Sequence, residues 1–435
     1  MSTIEPNKVL EYKGYWWLPK APKDQVSGSL TIGPDGKMKL ELYGGFSKEN
    51  DDTIHLFEPN VEPVIFGRCY APNSNMKDIS LFVCRGAVRF NFGSTFTMTS
   101  YTCHYALIGI HVESMDIPAF FKAQVDYDDL VYWCPSNNIK TSFNENHISL
   151  DIDISHEEAV PLSSVEFENG VTLNLMDGVM YSISYPRMSF EQGTYIEIHK
   201  DSISARDVLS VVRNFERFFS VATLGLQEHS KIILQSKQEY QEFDDGEIRY
   251  HSIELIVPLF EYGKRAGNGS HEFLFRYADV ARDFGAIYAK YCGDKRMNQI
   301  WSNLIYSLER KRVFTSNDFL VIVQALDGFA IRFREYHGLF NELKGLRDEF
   351  VGVKGIVQLT DDDLQAAKGS RHYYSHILKL EEKEKRHAVE GSELLNITRK
   401  LRLLLICCVL SFLGMDVGRI NEMVSKCDNN IVRLG

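Results

Sequence analysis

A chain of 435 residues, 44% hydrophobic and 25% charged, has ordinary globular composition, which excludes a disordered or fibrous protein and leaves room for two or three domains. A formal net charge of −11 argues against a protein that coats nucleic acid over its whole surface. The eight cysteines include no C-x-x-C pair, so neither a zinc ribbon nor a disulfide framework is indicated, and reduced, mostly buried thiols are expected.

The N-terminal residues lack a basic stretch followed by an apolar one, so no signal peptide is expected. Leu30, Ile32, Met38, Leu40 and Leu42 alternate with polar residues around Gly33-Pro34-Asp35-Gly36, which predicts a hairpin. Alternation recurs over 79–83, 88–92, 105–112, 148–154 and 171–175, as in a sandwich or a barrel. Trp16, Trp17, Phe90, Phe92 and Phe96 would supply its large packing surfaces.

Near residue 200 the period changes. Val208, Val211, Val212, Phe215, Phe218 and Phe219 have helical spacing over 204–223. A polar stretch (235–246), a strand-like run (253–260) and a glycine-bearing loop (Lys264–His271) follow. From about Glu272 the chain reads as all-helical: 278–291, 298–313, 319–336 capped by Ser316 or Asn317, 361–385 and 393–424. Thr360 and the carboxylates Asp361–Asp363 suit a helix N-terminus. The apolar run Leu403–Met415 is too short to span a bilayer, which takes about 20 residues, and is expected to be a core helix. Short connections predict an antiparallel bundle. The expected fold is therefore α+β and multidomain: a β-rich N-terminal domain (1–200), a mixed connecting region (201–295) and a C-terminal all-α bundle (296–435). From Lys311 onward, 19 Lys and Arg face 17 Asp and Glu, against 29 and 42 in the remainder, so affinity for a polyanion belongs to the C-terminal end.

The segment Lys368-Gly369-Ser370-Arg371-His372-Tyr373-Tyr374-Ser375-His376 places a guanidinium and two imidazoles within six residues. Cutting RNA without a metal needs such parts. Histidine moves protons near neutral pH, and the arginine fork matches phosphate oxygens. On a straight helix Arg371 and His376 are about 140° apart and about 7.5 Å along the axis, whereas His372 and His376 share a face. By itself the string fits capping or surface charge, a metal held by His372 and His376, or phosphodiester chemistry.

The surrounding text is more specific. Phe319-Leu320 with Gln324-Ala325-Leu326-Asp327-Gly328-Phe329, and Ser370-Arg371-His372-Tyr373-Tyr374-Ser375-His376, resemble the corresponding helices of ApeA-type abortive-infection proteins of the HEPN superfamily. Gly14-Tyr15-Trp16-Trp17-Leu18-Pro19, followed by Val26-Ser27-Gly28-Ser29-Leu30, is similar to the opening of the ApeA N-terminal domain. Leu130-Val131-Tyr132-Trp133 and Phe275-Arg276-Tyr277-Ala278-Asp279 fit the same pattern, so the likeness spans essentially the whole chain.

The resemblance implies a cytoplasmic anti-phage effector whose C-terminal HEPN bundle cuts host RNA on infection. It implies an endoribonuclease without cofactor or metal that leaves a 2′,3′-cyclic phosphate and a 5′-hydroxyl. Arg371 and His376 hold the two R-x4-6-H positions, and His372 takes the polar position beside the arginine, where relatives often have Asn. Asp327 stands where Glu is frequent, as a partner for Arg371. Lys368, Tyr373, Tyr374 and Lys379 are candidate RNA contacts. Transfer RNA is the favoured substrate, a phage-encoded molecule the trigger, and pairing through the HEPN domain the expected assembly, with no membrane attachment. The acidic N-terminal part would sense infection and restrain the nuclease. The alternative is a non-catalytic HEPN module that binds RNA or dimerises, joined to a β-rich interaction domain.

Overall fold

The computed structural model describes residues 9–46, 60–70, 76–89, 98–135, 139–144, 147–152, 159–184, 187–244, 246–259, 273–308, 313–379 and 381–427. The chain forms two compact units, one of Met1–Asp128, Ile154–Val212 and Glu228–Ala266, the other of Asp129–Asp153, Arg213–Gln227 and Gly267–Gly435.

In the first unit, β1 (Leu10–Trp17), β2 (Val26–Ile32), β3 (Met38–Tyr43), β4 (Asn60–Tyr70), β5 (Met76–Arg89) and β6 (Met98–Cys103) pair antiparallel in the order β1-β2-β3-β6-β5-β4. Because β4 also pairs with β1, the ring closes. This is a six-stranded barrel, one of the two architectures the alternation allowed. The period of two sends Tyr12, Trp16, Leu30, Leu40, Leu42, Ile65 and Leu81 into one core. The predicted hairpin joins β2 to β3, with Gly36 at φ 72° donating its N–H to the Gly33 carbonyl at 2.9 Å. At Gly67 a Cβ would come within 2.4 Å of the Trp16 ring, so only bare backbone lets the indole lie there.

The barrel strand β5 also pairs with β7 (Tyr105–Ile108), which opens a further antiparallel sheet. That sheet uses β8 (Phe120–Asp126) and, beyond a separate hairpin of β9 (Ile139–Asn144) and β10 (His147–Ile152), β11 (Val160–Glu166), β12 (Thr172–Ser184), β13 (Arg187–Ile203) and β14 (Lys231–Gln235). A small ribbon of β15 (Tyr240–Glu242) and β16 (Ile248–Tyr250) precedes β17 (Ile253–Ile256), and the sheet order is β7-β17-β14-β8-β13-β12-β11. Two strands are shorter than the alternation predicted. The run 105–112 ends at Ile108 because Gly109 turns with φ 118°, and 253–260 ends at Ile256. Phe90, Phe92, Phe96 and the loop Lys264–His271 lie outside the described residues.

The second unit is mainly helical. Its short α1 (Leu130–Trp133) is followed by α2 (Ala205–Thr223), which enters the unit at Arg213. Then come α3 (Tyr277–Val280), α4 (Phe284–Gly293), α5 (Asn298–Leu308), α6 (Ser316–Phe333), α7 (Leu339–Glu349), α8 (Asp361–Ser375), α9 (Glu382–Lys385), α10 (Gly391–Phe412) and α11 (Val417–Lys426). Trp133 is fully buried among Phe218, Phe219, Tyr277 and Phe284, and its indole N–H donates to the Phe275 carbonyl at 2.9 Å. Two of the segments that carried the resemblance therefore touch. The helix α6 packs against α5, α7, α8 and α10, and the apolar run of α10 is buried from Leu403 to Leu410 as a core helix.

Helix boundaries differ from the periodicity: α6 ends at Phe333, short of the expected 336, and α7 (Leu339–Glu349) is a helix that the periodicity did not mark. The cap of α6 is Thr315, one residue before Ser316, and Asp318 accepts its backbone N–H at 2.7 Å. The stretch 278–291 is interrupted after Val280, and 393–424 breaks where Gly414 has φ 101° and Asp416 caps α11. The stretch 361–385 is divided into α8 and α9, and that division shapes the site.

Candidate active site

The start of α8 follows from its sequence. Thr360 and Asp363 form a reciprocal capping box, with the Asp363 N–H donating to the Thr360 Oγ1 at 3.2 Å and the Thr360 N–H to the Asp363 carboxylate at 2.8 Å. Lys400 of α10 pairs with the same carboxylate at 2.7 Å and ties the two helices.

The end of α8 is unusual. His376 is its C-cap, and the following Ile377 takes a left-handed backbone with φ 49°. The Leu378 N–H then donates to the Tyr373 carbonyl at 3.2 Å, closing a Schellman turn. Such a position favours glycine; a β-branched residue is strained there. Ile377 is 91% exposed, so packing does not repay the strain. The turn frees His376 from ideal helical geometry while its ring stays 4.7 Å, centroid to centroid, from that of His372.

The flank of α8 is fixed by close approach. A Cβ on Gly369 would lie 1.8 Å from the Arg386 carbonyl oxygen, so this glycine admits the 386–389 segment against the helix. The buried Ser370 Oγ accepts the Val389 N–H at 3.0 Å, and the Tyr374 hydroxyl donates to the Val389 carbonyl at 2.9 Å. His387, like Ile377, has a positive φ of 54°. Between the helix and this segment lies a cleft of about 860 Å³, lined by Lys368, Arg371, His372, Lys385, Arg386 and His387, with Asp362 and Glu393 the acidic groups. Its four permanent cations, Lys368, Arg371, Lys385 and Arg386, outnumber these two carboxylates.

Arg371 is half-buried and its Nη2 lies 3.7 Å from the Asp327 Oδ2 of α6. His372 is held below the ordinary histidine pKa by lost solvation and then by the positive fields of Arg386, His376 and Arg371. Arg371, His372, His376 and Arg386 thus form one electrostatic cluster, with His372 biased toward the neutral imidazole that accepts a proton.

The predicted site residues distribute as follows. Arg371, His372 and Lys368 line the cleft, and His376 stands beside His372. Asp327 faces Arg371. The ring of Tyr373 is 5.0 Å from that of Tyr374, whose hydroxyl is taken by Val389. Lys379 is exposed past the turn and does not line the cleft. Arg386, His387 and the buried Glu342 of α7, on which Asp327 acts, were not singled out by sequence reasoning, because only the fold brings them here. Among the described residues no group of three or more His, Cys, Asp or Glu could hold a metal ion. No described helix is long and apolar enough to cross a membrane.

Comparison with family models matches ApeA N-terminal domain 1 over residues 11–291 and Apea-like HEPN over residues 320–418. No curated protein and no solved structure matches the chain.

Proposed function

The chain belongs to the ApeA family, whose N-terminal and HEPN domains mark an anti-phage defence protein, and from that premise we propose that it is a metal-independent endoribonuclease acting through Arg371 and His376. The observation that carries the reading is the convergence of Arg371, His372 and His376 at the end of α8, beside a cleft rimmed by Lys368, Lys385 and Arg386. HEPN domains commonly bind RNA and dimerise, which supports RNA as substrate and a homodimer as the working unit.

The chemistry assigns each group a task. The ribose O2′ attacks the adjacent phosphorus and the P–O5′ bond breaks. Neutral His372 is suited to receive the 2′ proton, and exposed His376 to deliver one to the leaving O5′. Arg371 offsets the charge that builds on the non-bridging oxygens. The products are a 2′,3′-cyclic phosphate and a 5′-hydroxyl. Lys368, Lys385 and Arg386 hold flanking phosphates, Tyr373 offers a ring to a base, and Lys379 extends the path past the turn. Host RNA, with transfer RNA favoured, is the proposed target, in the cytoplasm, with a phage-encoded trigger lifting a restraint exerted by the acidic N-terminal part.

The test is incubation of total cellular RNA with the full-length protein and with its His376→Ala variant, in excess chelator, with and without lysate of phage-infected cells. Cleavage by the parent alone supports the reading. Binding without cleavage under every condition assigns the chain to non-catalytic HEPN modules instead.

A further inference from the structure

The helices α6, α7 and α8 pack against one another, and Glu342 of α7 sits in their junction. It is 3% exposed, and its Oε2 has no hydrogen-bond partner. A carboxyl this deep is costly to ionise. From α6 the Asp327 carboxylate acts on it, and the Asp327 Oδ2 lies 3.7 Å from the Arg371 guanidinium. A buried carboxyl beside another carboxylate keeps its proton, and a protonated carboxyl can donate to its neighbour.

The charged groups acting on Glu342 are Asp327 from α6 and Arg371 from α8. The α10 helix also packs here, but its Lys400 pairs with Asp363, and its Arg402 responds to Arg399 and Asp318. Burial first, then Asp327, push Glu342 up to about 7, with Arg371 pulling the other way.

We propose that Glu342 is a positioning residue that shares one proton with Asp327, so that the pair presents a single negative charge to Arg371 and leaves the guanidinium free to engage a substrate phosphate. This rests on the endoribonuclease reading above. One negative charge orients the arginine without saturating it. Loss of the shared proton leaves two negative charges, which bind Arg371 more tightly and repel the incoming phosphate. Binding of a phosphate to Arg371 in turn raises the pair's hold on its proton.

The experiment measures two things across about pH 5 to 9, thermal unfolding and KM for RNA, in the full-length parent and in Glu342→Gln. Glutamine keeps the size and can donate to Asp327, so it mimics the protonated state permanently. The sign is fixed by linkage. A raised folded-state pKa gives stability that is fully present below the ordinary glutamate value and lost as pH rises through the folded value. The parent's unfolding temperature should therefore fall relative to that of Glu342→Gln between about pH 5 and 8. Its KM should rise about tenfold for each unit above the transition, while that of the variant stays flat.

Identical unfolding profiles would overturn the shared proton. Different unfolding profiles with identical KM profiles would overturn its action on Arg371. Absence of cleavage by both proteins, even with lysate of infected cells, would contradict the nuclease reading and also the action on Arg371, and the unfolding profiles would then decide the shared proton alone.

Discussion

The Arg371 guanidinium and the Asp327 carboxylate lie 3.7 Å apart, and both side chains are partly open to solvent. An ion pair in that setting contributes at most about 1 kcal/mol to stability. Its value is orientation. We predict that Asp327→Asn leaves the unfolding temperature nearly unchanged while lowering kcat for RNA cleavage about 10- to 100-fold. A large loss of stability with normal kcat in the survivors would contradict this role.

The contact between Gly369 and the Arg386 carbonyl gives a second expectation. In Gly369→Ala the new methyl meets that oxygen, and α8 and the 386–389 segment must separate. The bonds that Val389 makes with Ser370 and Tyr374 are then lost. Overpacking of this kind costs roughly 1–3 kcal/mol. Denaturant unfolding of the variant should register that loss, and cleavage should fall with it.

Ile377→Gly should act in the opposite direction. The isoleucine is exposed and strained at φ 49°, so its removal sacrifices no core packing. Relief of a left-handed β-branched residue, less the extra freedom glycine gains when unfolded, leaves a net stabilisation of roughly 0.5–1 kcal/mol. A higher unfolding midpoint is expected; an unchanged or lower one would mean that the turn is not strained in solution.

His372 makes the acid limb of stability testable. Its folded-state pKa is depressed, so the fold resists protonation that the unfolded chain accepts. Stability is retained above the ordinary histidine value and is lost as pH falls below it. Between about pH 7 and 5 the parent should lose unfolding temperature relative to His372→Asn, which does not titrate. Parallel curves would place His372 outside the positive cluster.

Arg386 lines the cleft without belonging to the motif. If it holds a flanking phosphate, Arg386→Ala raises KM several-fold, leaves kcat within about twofold, and reduces the salt dependence of RNA binding by roughly one phosphate contact. A drop in kcat alone would move Arg386 from binding to chemistry.

The legible parts of the molecule were those governed by local rules. Strict alternation marked β2, β3 and β5 of the barrel but not β1, β4 or β6, and the Gly33–Gly36 turn marked the hairpin between β2 and β3. Thr360 with three aspartates marked the start of α8. The end of α8 was hidden because no glycine or proline announces it; an isoleucine takes the left-handed position instead. That turn, and the narrow approach allowed by Gly369, build the cleft, and neither has a signature in spacing. On a straight helix Arg371 and His376 would diverge, so the motif alone undersold the site. Glu342 was invisible for another reason. Its meaning depends on Asp327, fifteen positions earlier on another helix, and on burial that only packing of α6, α7 and α8 creates.

The measurement closest to the central claim is end-group analysis of RNA cut by the full-length protein, with lysate of phage-infected cells and excess chelator present. Its companion is an oligonucleotide carrying a single 2′-deoxy residue at the mapped site. The account predicts 2′,3′-cyclic phosphate and 5′-hydroxyl ends, no cut at the deoxy position, and no cutting by Arg371→Ala or His376→Ala. Cleavage that survives the deoxy substitution, or that either variant performs as well as the parent, would contradict it.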